Sequence, residues 1–170
     1  DDGEGMSLDT LVNVWLEPGN DHRDGQRRKG IRSKKYGRLP LGEKGVGRFA
    51  VHKLGDQITL YTRRIDGPEL YLNIDWKDLI AKKYLSDSRI SIYKSKSFAY
   101  FKKGSSGTRI EIGSLKRTDW SRGDIRRLQR LIAAINSPFK EEGAFKATLH
   151  VDERKEWLSG IPSAKDLIDD

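Results

Sequence analysis

The 170-residue sequence predicts an α+β domain of two layers, with helices covering one face of a mostly antiparallel, mixed sheet. Three observations lead there. Ile58-Thr59-Leu60-Tyr61-Thr62 and Leu70-Tyr71-Leu72-Asn73-Ile74 alternate apolar and polar residues, as half-buried strands do. Asp66-Gly67-Pro68 lies between them as a turn, so the pair reads as a β-hairpin. Leu8-Leu11-Val12-Trp15 and Ile125-Leu128-Leu131-Ile132-Ile135 keep the three- and four-residue spacing of a helix with one buried face.

Taken in order, the chain opens on Asp1-Asp2-Gly3-Glu4-Gly5-Met6, whose small, spaced residues have the character of a ligand loop. Ser7 is the N-cap of the first helix, and Pro18-Gly19 stop it. Residues 20 to 41 are polar and show no periodicity. A loop of that length inside a compact domain is either functional or disordered, and its place between two glycine-rich stretches predicts a lid. Gly42-Glu43-Lys44-Gly45-Val46-Gly47-Arg48-Phe49-Ala50 follows, and Phe49, Ala50, Val51 and Leu54 predict a helix from about Gly47 to Leu54. The N–H groups and dipole at the start of that helix would face the glycine loop, where a phosphate is the natural occupant.

After the hairpin, a short helix is expected from Trp76 to Lys83 and a strand from Arg89 to Lys94, extended or paired by Ser97 to Phe101. Gly104-Ser105-Ser106-Gly107 turns the chain into a strand at Thr108 to Ile112. Ser121 and Asp124 form a capping box for the last long helix, and Pro138 lies beyond its end. Phe145 to Val151 returns to a strand pattern, and the tail with Trp157 and Leu167 is helical or irregular. There is no internal repeat.

Composition narrows the function classes. With no cysteine, disulfides and thiolate metal sites are excluded, and a reducing, cytoplasmic setting fits. His22, His52 and His150 lack ligand-like spacing, so no zinc site is expected. No apolar run reaches membrane-spanning length, and no membrane partner is expected. The net charge of +8 is concentrated between Arg27 and Arg48, a field that favours polyanions, whether nucleotide phosphates or nucleic acid.

Single motifs do not settle the ligand. No Gly-Lys-Ser or Gly-Lys-Thr occurs, which removes the P-loop. Gly45-Val46-Gly47-Arg48-Phe49-Ala50 fits the dinucleotide pattern, yet Lys34 to Pro40 upstream is no buried strand, so that reading fails. Three loops taken together do better: Asp1-x-Gly3-x-Gly5, Gly42-x-x-Gly45-x-Gly47, and Gly107-Thr108 at the head of a strand. In this order they resemble the GHKL superfamily of ATPases, which includes DNA gyrase B, ninety-kilodalton heat-shock chaperones, histidine kinases and MutL. The resemblance covers residues 1 to 139, and Asn136-Ser137-Pro138-Phe139 looks most like the chaperone-like and MORC-like branch.

The resemblance implies a Bergerat ATP-binding fold with ATP or ADP as its ligand. Asp1 would accept the adenine amino group, Gly3 and Gly5 would let the chain pass close to the base, and Met6 would pack on it. Gly42, Gly45 and Gly47, with Val46 and Phe49 in the same loop and helix, would wrap the phosphates, assisted by Lys44 and Arg48. Thr108 would support the adenine site. In these ATPases the water-activating glutamate and the magnesium-binding asparagine lie on a helix before the Asp-x-Gly-x-Gly loop. On that pattern residues 1–139 are an ATP-binding domain without its first helix, and 140–170 begin a following segment. The resemblance then predicts no catalytic or metal-binding residue in this stretch, Mg2+ binding only in a larger parent ATPase, no turnover by this stretch alone, and a tendency to dimerise. The alternative reading is a nucleic-acid-binding module that uses the basic segment 27–48.

Overall fold

The strand alternation closes into one antiparallel sheet in the computed structural model, which describes residues 1–17, 21–39, 47–81, 90–95, 99–136 and 145–161, without the side chains of Arg48 and Phe49. The chain divides into two compact units, Asp1–Arg117 and Thr118–Asp170.

In the first unit, β1 (Gly55–Arg63) and β2 (Glu69–Asp75) form the expected hairpin, with Leu60 opposite Leu72 and Arg63 opposite Glu69. β3 (Ile92–Lys94) joins the free edge of β2, and β4 (Gly107–Leu115) joins β1, giving the order β3-β2-β1-β4. Every pairing among the described residues is antiparallel, in keeping with the mostly antiparallel sheet expected. The two-residue period places Ile58, Leu60 and Thr62 on one face with Leu70, Leu72 and Ile74, and all six are buried. Leu11 and Trp76 complete that core, and Met6, Trp15, Leu16, Val51 and Leu79 pack against it. Each fully buried leucine here contributes roughly 1.5–3 kcal/mol. The fold is therefore α+β, its core lying between one sheet face and the segments packed on it.

The opposite face carries a row of side chains in register: Tyr93, Tyr71, Tyr61 and Arg109. Tyr71 stacks on Tyr93 at 5.1 Å and on Tyr61 at 5.8 Å between ring centroids. Tyr100 leans on Tyr61 at 4.5 Å, and the Arg109 guanidinium lies 4.3 Å from the Tyr100 centroid. The Glu111 carboxylate, paired with Arg109 at 2.9 Å, raises the Tyr100 hydroxyl pKa above its ordinary value. Such cross-strand pairs stabilise this face of the sheet.

Several elements differ from expectation. Ser7 caps α1 (Leu8–Thr10) through Thr10 N–H as predicted, but a π-helical turn, Leu11–Trp15, follows, closed by Leu16 N–H to Leu11 C=O at 2.9 Å. The wider turn brings Leu11, Trp15 and Leu16 to the core and swings Leu8 and Val12 outward, so the straight-helix face is only half realised. The polar segment 20–41 contains α2 (His22–Arg28), stiffened by an Arg28–Asp24 ion pair at 2.6 Å, and is not structureless. Its helical signal is masked because α2 has no buried residue. Gly47–Lys53 is a 3₁₀-helix, from which Val51 reaches the core while Leu54 stays exposed. α3 spans Trp76–Ala81. Residues 99–101 form no strand; their N–H groups bind the carboxylate of Glu69 instead.

In the second unit, α4 (Arg122–Ala134) begins with the predicted capping box: Ser121 Oγ accepts from Asp124 N–H, and Asp124 accepts from Ser121 N–H. None of its residues is fully buried. Residues 145–150 form no strand ladder. Their backbone is met by a side chain, since the Asn136 amide donates to Ala147 C=O and accepts from Ala147 N–H. A kinked 3₁₀ segment, Asp152–Leu158, follows. The expectations for Gly42 to Val46, Lys82 to Arg89, Ser97-Phe98, Pro138 and Leu167 lie outside the described residues.

Candidate functional site

The N-terminal glycine loop is fixed by the neighbouring strands β1 and β4 of the first unit. Asp1 and Thr108 exchange backbone hydrogen bonds: Asp1 N donates to Thr108 C=O at 2.7 Å, and Thr108 N–H donates to Asp1 C=O at 3.2 Å. The loop thus continues the sheet beside the start of β4. Two glycines are required by this close approach. At Gly5 (φ +66°) a Cβ would lie 1.9 Å from Arg63 C=O, and at Gly107 (φ +155°) one would lie 2.1 Å from Asp1 C=O. At Gly5 the close approach is to the backbone of strand β1. Gly3 is less constrained, since a Cβ there would stand 3.1 Å from Asp1 Oδ1.

Polar bonds complete the seat. Ser106 Oγ donates to Gly3 C=O at 2.7 Å. Met6 N–H donates to Thr62 Oγ1 at 2.9 Å, and Thr62 Oγ1 in turn contacts Gly107 C=O and Thr108 Oγ1, both at 3.1 Å. Asp1 Oδ1 accepts from Gly3 N–H at 3.0 Å and from Thr108 N–H at 3.2 Å. These bonds orient the carboxylate, and Oδ2 has no partner among the described residues.

Beside this loop lies a cleft of about 640 Å³. Asp1, Gly3, Gly5, Met6, Gly47 and Thr108 line it, so six of the residues singled out from sequence share one cavity. Gly42, Lys44, Gly45 and Val46 lie outside the described residues, as do the side chains of Arg48 and Phe49. Sequence reasoning missed the remaining wall. Thr10, Val14 and Trp15 come from the first helical segment, Ile110 from β4, Arg64 from the end of β1, and His22, Arg23, Gln26 and Ser33 from the segment read as a lid. Gln26 follows His22 by four and Arg23 by three positions on α2; that helical spacing was the available signal, and it was hidden because these side chains are polar.

The 33–37 turn is tied to the glycine loop. Glu4 Oε1 accepts from the N–H groups of Lys34 and Lys35, while Lys35 Nζ donates to Asp2 C=O. The Tyr36 hydroxyl donates to Asp2 Oδ2, and this bond, with the nearby Lys35 ammonium, holds the Asp2 carboxyl below its ordinary pKa despite some desolvation. Arg28 pairs with Asp24, Arg32 donates to Gly37 C=O, and Arg38 lies over the Tyr36 ring, so several charges of the basic segment have partners within it.

Among the described residues no cluster of three or more His, Cys, Asp or Glu side chains is placed to hold a metal ion. No helix of the described residues is long and apolar enough to cross a membrane. A family model described as histidine kinase-, DNA gyrase B-, and HSP90-like ATPase matches residues 1–108. No curated protein matches the chain.

Proposed function

From the premise that the chain belongs to the histidine kinase-, DNA gyrase B- and HSP90-like ATPases, a family that binds ATP, we propose that the cleft of the first unit is its adenine-nucleotide site. The observation that carries the proposal is Asp1. Its Oδ1 is anchored by two backbone N–H groups while its Oδ2 is left as an acceptor beside the cleft. A carboxylate so held complements the exocyclic amino group of adenine, and a ligand that lacks a donor there would leave it unsatisfied. The cleft volume falls within the range of about 300–1,000 Å³ usual for small-molecule sites.

Met6, Trp15 and Ile110 supply apolar surface for the base. Arg23 and Arg64 bring positive charge to the same cavity, and Gly47 brings the end of the second glycine loop, where Gly42, Gly45, Lys44 and Arg48 would complete the phosphate contacts. The segment 21–39, tied to the loop through Asp2 and Glu4, acts as the lid. Bound ATP would supply the phosphoryl group for the family's chemistry. The described residues bind and orient it, and no hydrolytic step is assigned to them. The nucleic-acid alternative has no specific observation in its favour.

Calorimetric titration of ADP with Mg2+ in the buffer tests the reading. Wild type binds, and Asp1→Asn, which presents an amide donor to the adenine amino group, weakens binding by about 10–100-fold. Equal affinity of the two proteins would remove Asp1 from the site.

A further inference from the structure

Thr62 has no surface in the cleft; it is 0% exposed and sits on the core face of β1 directly opposite Thr108. Its hydroxyl oxygen nevertheless meets three partners, and their chemistry restricts where the protons lie. Met6 N–H can only donate, so Thr62 Oγ1 accepts there, at 2.9 Å. Gly107 C=O can only accept, so the single Thr62 proton goes to it, at 3.1 Å. The third contact, Thr62 Oγ1 to Thr108 Oγ1 at 3.1 Å, then has one available donor, the Thr108 hydroxyl. That proton then lies between the two hydroxyl oxygens, toward a side chain with no exposed surface.

We infer that Thr62 is a specificity-determining positioning residue: by taking the Thr108 proton it makes Thr108, like Asp1, an acceptor-only group toward the cleft. The two side chains then match a base edge that offers donors, directly or through a water, and oppose one that offers a carbonyl. Adenine carries an amino group at C6 where hypoxanthine and guanine carry a carbonyl oxygen. The inference rests on the nucleotide reading above and adds the residue that sets the polarity of its second acceptor.

The experiment compares ADP with inosine diphosphate, which exchanges that amino group for a carbonyl and adds a proton at N1. Affinities are measured by calorimetry for wild type, Thr62→Val, Thr62→Ser and Thr108→Val. Wild type prefers ADP. Thr62→Val frees the Thr108 proton to turn outward, and the preference falls by about tenfold or more, the factor that corresponds to one hydrogen bond changing sign. Thr62→Ser keeps the acceptor and restores the preference, which a purely structural role for the methyl-bearing side chain would not do. Thr108→Val, at the half-buried edge of the cleft, lowers ADP affinity and leaves inosine diphosphate unchanged or improved.

An unchanged preference in a folded Thr62→Val overturns the inference. Should that variant fail to fold, Thr108→Val decides: a loss for inosine diphosphate equal to or larger than that for ADP would mean that Thr108 donates to the ligand. A wild-type protein that binds neither nucleotide refutes the nucleotide reading itself and the inference with it. Binding of ADP without preference refutes the inference alone.

Discussion

Glu69 offers the sharpest test of how the sheet holds the candidate site. Its side chain is 0% exposed, yet its carboxylate is satisfied by backbone: Oε1 accepts from Ala99 N–H, and Oε2 accepts from Tyr100 and Phe101 N–H, each at 3.1 Å. Opposite it on β1, Arg63 is 4% exposed and donates to Gly67 C=O at 3.1 Å, to Lys102 C=O and to Ser105 C=O at 3.2 Å. The two side chains together fix the 99–105 segment, which leads into Ser106, Gly107 and Thr108. A hydrogen bond to a charged group contributes about 1.5–3 kcal/mol, and a buried group left unsatisfied costs a similar amount. Glu69→Gln can present its one oxygen to either Ala99 or the Tyr100–Phe101 pair, so at least one N–H loses its acceptor and the other bonds lose their charge assistance. The expected cost is about 2–3 kcal/mol. Glu69→Ala leaves all three N–H groups unmatched, for about 4–5 kcal/mol. Against a typical domain stability of about 5–15 kcal/mol that is a large fraction. Urea denaturation followed through the Trp76 indole signal by NMR reads the first unit without contribution from the second. A Glu69→Ala cost below about 1 kcal/mol, or a glutamine variant as stable as wild type, would refute the assignment of these bonds as a determinant of the segment.

Two further outcomes follow from the same geometry. Gly5→Ala combines a left-handed backbone with a Cβ 1.9 Å from Arg63 C=O, whereas Gly30→Ala has a similar φ of +65° and open space. Thermal melts should show about 1–2 kcal/mol lost at Gly30, from backbone strain alone, and about 3 kcal/mol or more at Gly5, with ADP binding reduced as well. Equal losses at the two positions would show that the contact between the glycine loop and β1 is not tight. The Asp2 carboxyl has a folded pKa below its unfolded value of 3.8, so its hold on Tyr36 and Lys35 is fully present above that value and is lost as pH falls through the lower folded one. Protection of the 33–37 amides, measured against their intrinsic exchange rates, should therefore fall on acidification below about 3.8 in wild type, while Asp2→Asn is already less protected at neutral pH and lacks that acid-dependent step.

Much of this protein was legible in the chain alone. Alternation around Leu60 and Leu72 with a Gly-Pro turn between them fixes a hairpin, because a two-residue period has one way to bury a face. Ser121 and Asp124 announce the start of α4, because a cap is a local bond between neighbours in sequence. The glycine spacing at Gly3, Gly5 and Gly107, with Asp1 and Thr108, carries the resemblance to the family whose model matches residues 1–108. What the chain alone could not show lies in contacts between residues far apart in sequence. The π turn at Leu11–Trp15 follows from packing on the sheet, and it overrides the spacing that predicted Leu8 and Val12 inside. Glu69 reads as an ordinary hairpin charge until residues 99–101 bring three N–H groups to it. Thr62 reads as a strand residue until Met6, Gly107 and Thr108 converge on one oxygen. Local propensity and periodicity act over a few residues and so leave marks in the sequence. The direction of a buried proton depends on which groups meet across 45 or more positions of chain, and only the folded sheet determines that meeting.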